Sequence, residues 1–160
     1  MDRESRILKT LDGLKSNRSN WESYWNELAT YVWTDMYGAF DGTQINGAQR
    51  NLHLYDGSTA IMVDRLASVM EAMICPFNET WHMLRVLDER VDKKPEIRKY
   101  FDYVNDLLIY HRKRPGSGFY AQMSYVFKSV VVFGTGVLFA DTNENGMVRY
   151  KSIPLNEVYL

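Results

Sequence analysis

Residues 56–87 read DGSTAIMVDRLASVMEAMICPFNETWHMLRVL, and the fold class turns on this stretch. Its first half predicts a helix opened by Ser58, whose hydroxyl is suited to accept from the free N–H groups of a first turn. Asp64, Ser68 and Glu71 recur at steps of four and three and form one narrow polar stripe. The rest of the circumference is apolar, from Ala60, Met62 and Val63 through Leu66, Ala67, Val69 and Met70 to Met73 and Ile74. Such a helix needs cover on more than one side, so it belongs in the middle of a domain or between subunits. Pro76 stops it, and Trp81–Leu87 carries the β-branched, aromatic and apolar residues of a short strand.

Upstream, Ile7, Leu11, Leu14, Trp21, Trp25, Leu28 and Val32 follow a helical 4-3 period, with Arg18 where an apolar residue would continue it. Gly13 and the cluster 16–20 are poor helix interior, and Ser19 with Glu22 matches a capping box. Two helices are therefore expected, about 2–15 and 20–33, the second loaded with aromatics that either bury against neighbouring helices or form an interface. Residues 36–54, rich in Gly and Asn, read as a long surface loop, either a contact arm or a mobile excursion.

Downstream, residues 92–114 form a third strong helix. Pro95 suits its first turn, and Ile97, Phe101, Val104, Leu108 and His111 make its stripe. It ends in Arg112, Lys113 and Arg114, cations that complement the helix dipole and also offer a subunit or phosphate contact. Ser117 opens a further helix with Phe119, Met123, Val126, Phe127 and Val130 on one face and Gly134 as its stop. Asn145-Gly146 between 137–144 and 147–153 predicts a hairpin with a two-residue turn, placing Phe139 and Asp141 on one face with Val148 and Tyr150. The expected class is α+β, predominantly helical, with four to five helices, a short strand after Pro76 and a C-terminal β-hairpin. A hairpin alone is marginal, so residues 1–160 read as a single domain or fragment truncated at its C-terminus.

The chain has 160 residues, 46% hydrophobic and 14% aromatic, which argues against disorder. Lys plus Arg number 19 against 20 Asp plus Glu, a formal charge of -1, so there is no excess of cations to bind nucleic acid non-specifically. The single Cys75 excludes an intrachain disulfide, and the N-terminus lacks a signal core, which points to a reducing cytoplasm. No window matches the roughly 18 to 20 apolar residues of a membrane span. There is no phosphate loop and no G-x-S-x-G elbow. His53, His82 and His111 are isolated, so no zinc site is expected. Asp56, Asp64, Glu71, Asp141 and Glu144 are candidates for a magnesium site of the nuclease kind. Asp64 and Glu71 are more economically the solvated stripe of their helix.

Four motifs in order carry a family resemblance: Asn20-Trp21-Glu22 after a basic stretch; Tyr55-Asp56-Gly57-Ser58-Thr59-Ala60; Pro76 through Trp81 to Leu84; and Val132-Phe133-Gly134-Thr135-Gly136-Val137-Leu138 with the following hairpin. Over about residues 18 to 158 the pattern resembles the amino-terminal region of the head-to-tail connector, or portal, proteins of short-tailed bacteriophages. It departs at Trp33-Thr34-Asp35-Met36, where the family often has proline.

The resemblance implies a structural protein, not an enzyme, without cofactor or metal. It implies a homo-oligomeric ring, usually dodecameric, at one capsid vertex. Double-stranded DNA passes through its channel without sequence-specific binding. Capsid, terminase and tail adaptor are its partners, and no membrane is involved. The expected location is the virion, with the host cytoplasm during assembly. This region would be the outer wing, with stem and clip further along the sequence, so the chain alone is not expected to close the ring. The structural motif residues on this reading are Trp21, Trp25, Asp56, Ser58, Pro76, Trp81, Gly134, Gly136, Asn145 and Gly146. The alternatives from other classes are a helical adaptor or peripheral membrane-binding module using the Trp-rich helix, and a metal-dependent phage DNA enzyme using the carboxylates.

Overall fold

The computed structural model describes residues 3–43, 47, 49, 54–144 and 146–159. The chain is α+β and predominantly helical, as expected. Its elements run α1 (Arg3–Tyr31), α2 (Ser58–Ile74), a single turn α3 (Glu89–Asp92), α4 (Pro95–Lys113), α5 (Phe119–Phe133), β1 (Val137–Thr142) and β2 (Val148–Ile153). Short 3₁₀ turns at Thr34–Met36, Pro115–Ser117 and Leu155–Glu157 join or close them.

α5 is the centre. Phe119, Val126, Phe127, Ser129, Val132 and Phe133 are buried on it, whereas α2 buries only Ala67. The expectation that α2 would be the covered helix is therefore corrected. Its Val63, Ala67 and Met70 side meets the core around α5, and its opposite side is open. Two clusters form the core. Ala29, Trp33, Met36, Phe40, Val132, Phe133 and Leu155 make the larger; Ala67, Cys75 and Phe127, with Trp81 and Met123 against them, make the smaller. Phe133 is the hub of the first, 5.2 Å from Phe40, 5.8 Å from Trp33 and 6.5 Å from Trp25 between ring centroids.

Four expectations change. α1 is one helix of 29 residues, not two. Ser19 Oγ donates to the Ser16 carbonyl instead of capping a new start, and Arg18 pairs with Glu22 one turn on. The Arg18–Glu22 pair at i,i+4 supports the helix through these poor formers, and the cost of one interior glycine, about 1 kcal/mol, is tolerable. Residues 36–54 are not all surface, because the chain first turns back into the core with Met36 and Phe40. Asn26 holds that turn, donating to Asp41 at 2.6 Å and accepting from the Gly38 N–H at 3.0 Å. Residues 44–46, 48 and 50–53 of the loop lie outside the described residues.

The segment Trp81–Val86 is not a paired strand. Its backbone partner is a side chain: Asn105, buried on α4, accepts from the Leu84 N–H at 2.8 Å and donates to the Leu84 carbonyl at 3.4 Å. One amide thus does the work of a neighbouring strand's N–H and C=O, and the apolar pattern of a strand is satisfied without a sheet.

β1 and β2 pair antiparallel with Phe139 opposite Lys151 and Ala140 opposite Tyr150. This is one residue out of the expected register, and it exchanges the faces. Tyr150 lies inward, 4.9 Å from the Phe119 ring, while Phe139 is exposed. The cause is the loop, which closes between Asn143 and Met147 with Gly146 at φ +73°, the three-residue hairpin in place of the two-residue one. Asn145 lies outside the described residues. Gln122 of α5 locks the chosen register by accepting from both the backbone N–H and the hydroxyl of Ser152 at 2.7 Å.

The corner from α5 into β1 uses its two glycines differently. Gly134 caps the helix at φ +79° with open space around its α-carbon. At Gly136 an added Cβ would lie 2.6 Å from the Val126 carbonyl oxygen and 2.8 Å from the Val126 Cγ1. Gly134→Ala is expected to cost about 1–2 kcal/mol, the left-handed backbone penalty, and Gly134→Asn clearly less. Gly136→Ala should cost about 1–3 kcal/mol or more through overpacking, and Gly136→Asn should be worse still. Urea unfolding of the four variants checks this ordering, and equal costs for Asn at both sites would contradict it.

Candidate functional site

The predicted site residues fall into separate structural corners. Ser58 does not cap α2 by its side chain, since Gly57 is the cap residue and Ser58 the first helical one; Asp56 just ahead accepts through Oδ1 from the Ser58 N–H at 2.9 Å and from its hydroxyl at 2.7 Å. Those bonds, the backbone one first, hold the Asp56 carboxyl below its ordinary range. Pro76 follows Cys75 at the end of α2. Burial and then the charge of Glu71 push the Cys75 thiol pKa up, so it is an unreactive packing group.

The polar stripe of α2 runs along its border with α5: Asp64 pairs with Lys128 at 2.8 Å while its side chain stays 59% exposed, Ser68 is exposed, and Glu71, half-buried, accepts from the Ser124 hydroxyl. The same Lys128 lies 5.0 Å from the centre of the Trp33 ring. With Asp64 and Glu71 engaged on α5, Asp56 at the helix start and Asp141 on β1, the carboxylates do not converge, and no group able to hold a metal ion is found among the described residues.

Trp81 organises a second corner. Its ring stacks on Phe119 with centroids 6.1 Å apart and planes 11° from parallel, and the Arg112 guanidinium lies 5.0 Å from it. Arg112 Nη1 also sits 2.9 Å from Nε2 and 3.2 Å from Nδ1 of His82. Burial and then this guanidinium lower the His82 pKa from 6.5. The basic run is splayed in three directions: Arg112 over Trp81, Lys113 over Phe77 at 5.4 Å, and Arg114 over Tyr110 at 5.9 Å.

The third corner was missed as a site, although Arg18 was the one residue that interrupted the apolar period of α1. Its Nη1 donates to the carbonyls of Leu155, at 3.0 Å, and Val158; its Nη2 donates to that of Asn156 at 3.4 Å. Nε donates to Glu22 at 2.7 Å, and the guanidinium stacks on Tyr159 at 3.7 Å. One side chain thereby ties the turn after β2 to the middle of α1. Beside it a cleft of about 490 Å³ is lined by Leu14, Trp21, Trp25, Phe133 and Leu155. The Trp21 and Trp25 rings are 6.3 Å apart, and Trp21 is largely exposed.

These corners pin elements to one another and leave aromatic and apolar groups facing outward, the arrangement of an assembly component. The model of a family described as bacteriophage head to tail connecting protein matches residues 4–160. The chain belongs to this family. It is also similar to a portal protein of Salmonella phage epsilon15, with 22% identity over 160 residues, covering 98% of this chain and 28% of that protein. The chain thus spans under a third of the length of that relative. The connector family is a structural kind of protein, which agrees with side chains that pack and pin.

Two outcomes follow for these corners. Arg18→Met removes the donors to three carbonyls and is expected to cost about 1.5–3 kcal/mol, the range for hydrogen bonds to a charged group. Arg18→Lys should recover only part, because an ammonium lacks the planar fork. Urea midpoints and the rate of proteolytic trimming near residue 155 report both. His82 has a folded-state pKa below its unfolded value, so the unfolded chain binds the proton more readily and stability falls as the pH drops below the ordinary histidine value of 6.5. Melting temperature should therefore decline from pH 7 to about pH 5.5, and His82→Gln should flatten that decline.

Proposed function

We propose that this chain forms part of the wing of a phage portal ring, the outer α+β region that meets neighbouring subunits and the capsid shell. In this reading the ring is a dodecamer at one capsid vertex, a component of the virion assembled in the host cytoplasm. DNA is packaged and ejected through its channel, and terminase and later a tail adaptor dock on it. The observation that carries the reading is the family match over residues 4–160.

The surface chemistry is compatible with it. A formal charge of -1 leaves no surplus of cations to hold phosphates, so DNA can slide past without a sequence-specific or tight contact. The run Arg112–Arg114 is engaged with aromatic rings of its own chain, and its role as a subunit contact would run through those rings. Of the aromatic residues on α1, Trp25 packs against Phe40 and Phe133, while Trp21, Tyr24 and Tyr31 are exposed. No helix among the described residues is long and apolar enough to cross a membrane.

Electron microscopy of the full-length protein is the direct test. Closed rings with a central channel are expected, and a protein that stays monomeric under every assembly condition would sink the reading.

A further inference from the structure

Two helical stripes point outward with nothing of the same chain over them. On α2, Met62, Leu66, Val69 and Met73 recur at steps of four, three and four and are 50–78% exposed. On α4, Tyr100, Tyr103, Leu107 and Tyr110 recur at steps of three, four and three and are 40–64% exposed. Both helices pack on α5 by their other sides, so each stripe is turned away from the fold. At 1.5 Å per residue the stripes run about 16 and 15 Å, nearly equal lengths.

We propose that these stripes are the two halves of one contact between copies of this chain, α2 of one copy seated on α4 of the next. The inference rests on the ring reading above and names the faces that would join its subunits. Both stripes have the alternating three-and-four spacing of a helix–helix seam, the pattern that lets side chains of one helix enter the gaps of another. Their chemistry is complementary: flexible thioethers and a Leu-Val pair on one, three tyrosine rings on the other. Sulfur–aromatic contact is favourable, and tyrosines bring large area with few rotatable bonds while their hydroxyls stay at the wet rim.

By helical position Arg65 flanks the α2 stripe, and Glu96, Lys99 and Asp106 lie along that of α4, two acids against one base, so the α4 side is net acidic opposite Arg65; all four are exposed.

A second copy is the occupant because the two stripes differ. Pairing α2 with α2, or α4 with α4, leaves one kind of apolar face in water. Pairing α2 with α4 covers both with a single contact, and such a head-to-tail contact repeats around an axis, closing into a ring when the rotation permits.

Cross-linking in the full-length protein tests the faces. Val69→Cys and Tyr103→Cys are combined in one chain and treated with a short bismaleimide; buried Cys75 stays in place. A ladder of covalent multimers is expected from the double variant and none from either single variant. Dimers from one single variant would overturn the proposal in favour of a two-fold contact. Assembled rings without any ladder would overturn it while leaving the ring reading intact, another partner then covering the stripes. Absence of assembly would remove both. As an independent measure, Leu66→Glu and Leu107→Lys should each weaken association by about tenfold or more, and the two together should restore much of it. No loss from either would also overturn the proposal.

Discussion

The ring of Phe133 closes α5 in contact with Trp25, Trp33 and Phe40, and the N-terminal half of the molecule is disposed to cover it. A helix as apolar as α5 cannot stand beside solvent, so α1, the turn after it, α2 and the hairpin are drawn onto its sides. α1 supplies aromatic area at one end of α5, Trp81 and Tyr150 at the other through Phe119. Polar residues of α5 then set angles and register: Lys128 and Ser124 take the carboxylates of α2, and Gln122 takes Ser152 of β2. Hydrophobic burial provides the drive, and these directional bonds select one arrangement among those that bury equally well.

α2 has more apolar surface than one neighbour can cover. Its polar stripe borders α5 at the surface, and Met62, Leu66, Val69 and Met73 lie toward water on another side. A contiguous apolar face open to water is the usual mark of a contact.

Much of this was legible in residue patterns. The helix spans around 58–74, 95–113 and 119–133, the Gly134 stop and the hairpin follow from periodicity and from residues with strong backbone preferences. The errors have one root, which is that local signals compete with partners distant in sequence. Ser19 and Glu22 look like a helix start, but Arg18 finds Glu22 on one side and three carbonyls near residue 155 on the other, and the helix continues. Trp81–Val86 has strand composition, yet its hydrogen-bonding partner is the amide of Asn105. The hairpin register depended on whether two or three residues formed the loop, a choice that Gln122 and Phe119 reinforce from outside it.

The sequence by itself determined the α+β class, the helical spans after residue 57 and the connector resemblance, because periodicity, proline, glycine and ordered motifs act over a few residues. Only the tertiary structure decided that α5 and not α2 is the centre, that Asp64 and Glu71 of α2 find Lys128 and Ser124 of α5, and that Arg18 is an anchor. Each of those depends on which of several suitable faces meet, and that follows from packing the whole chain around one aromatic hub.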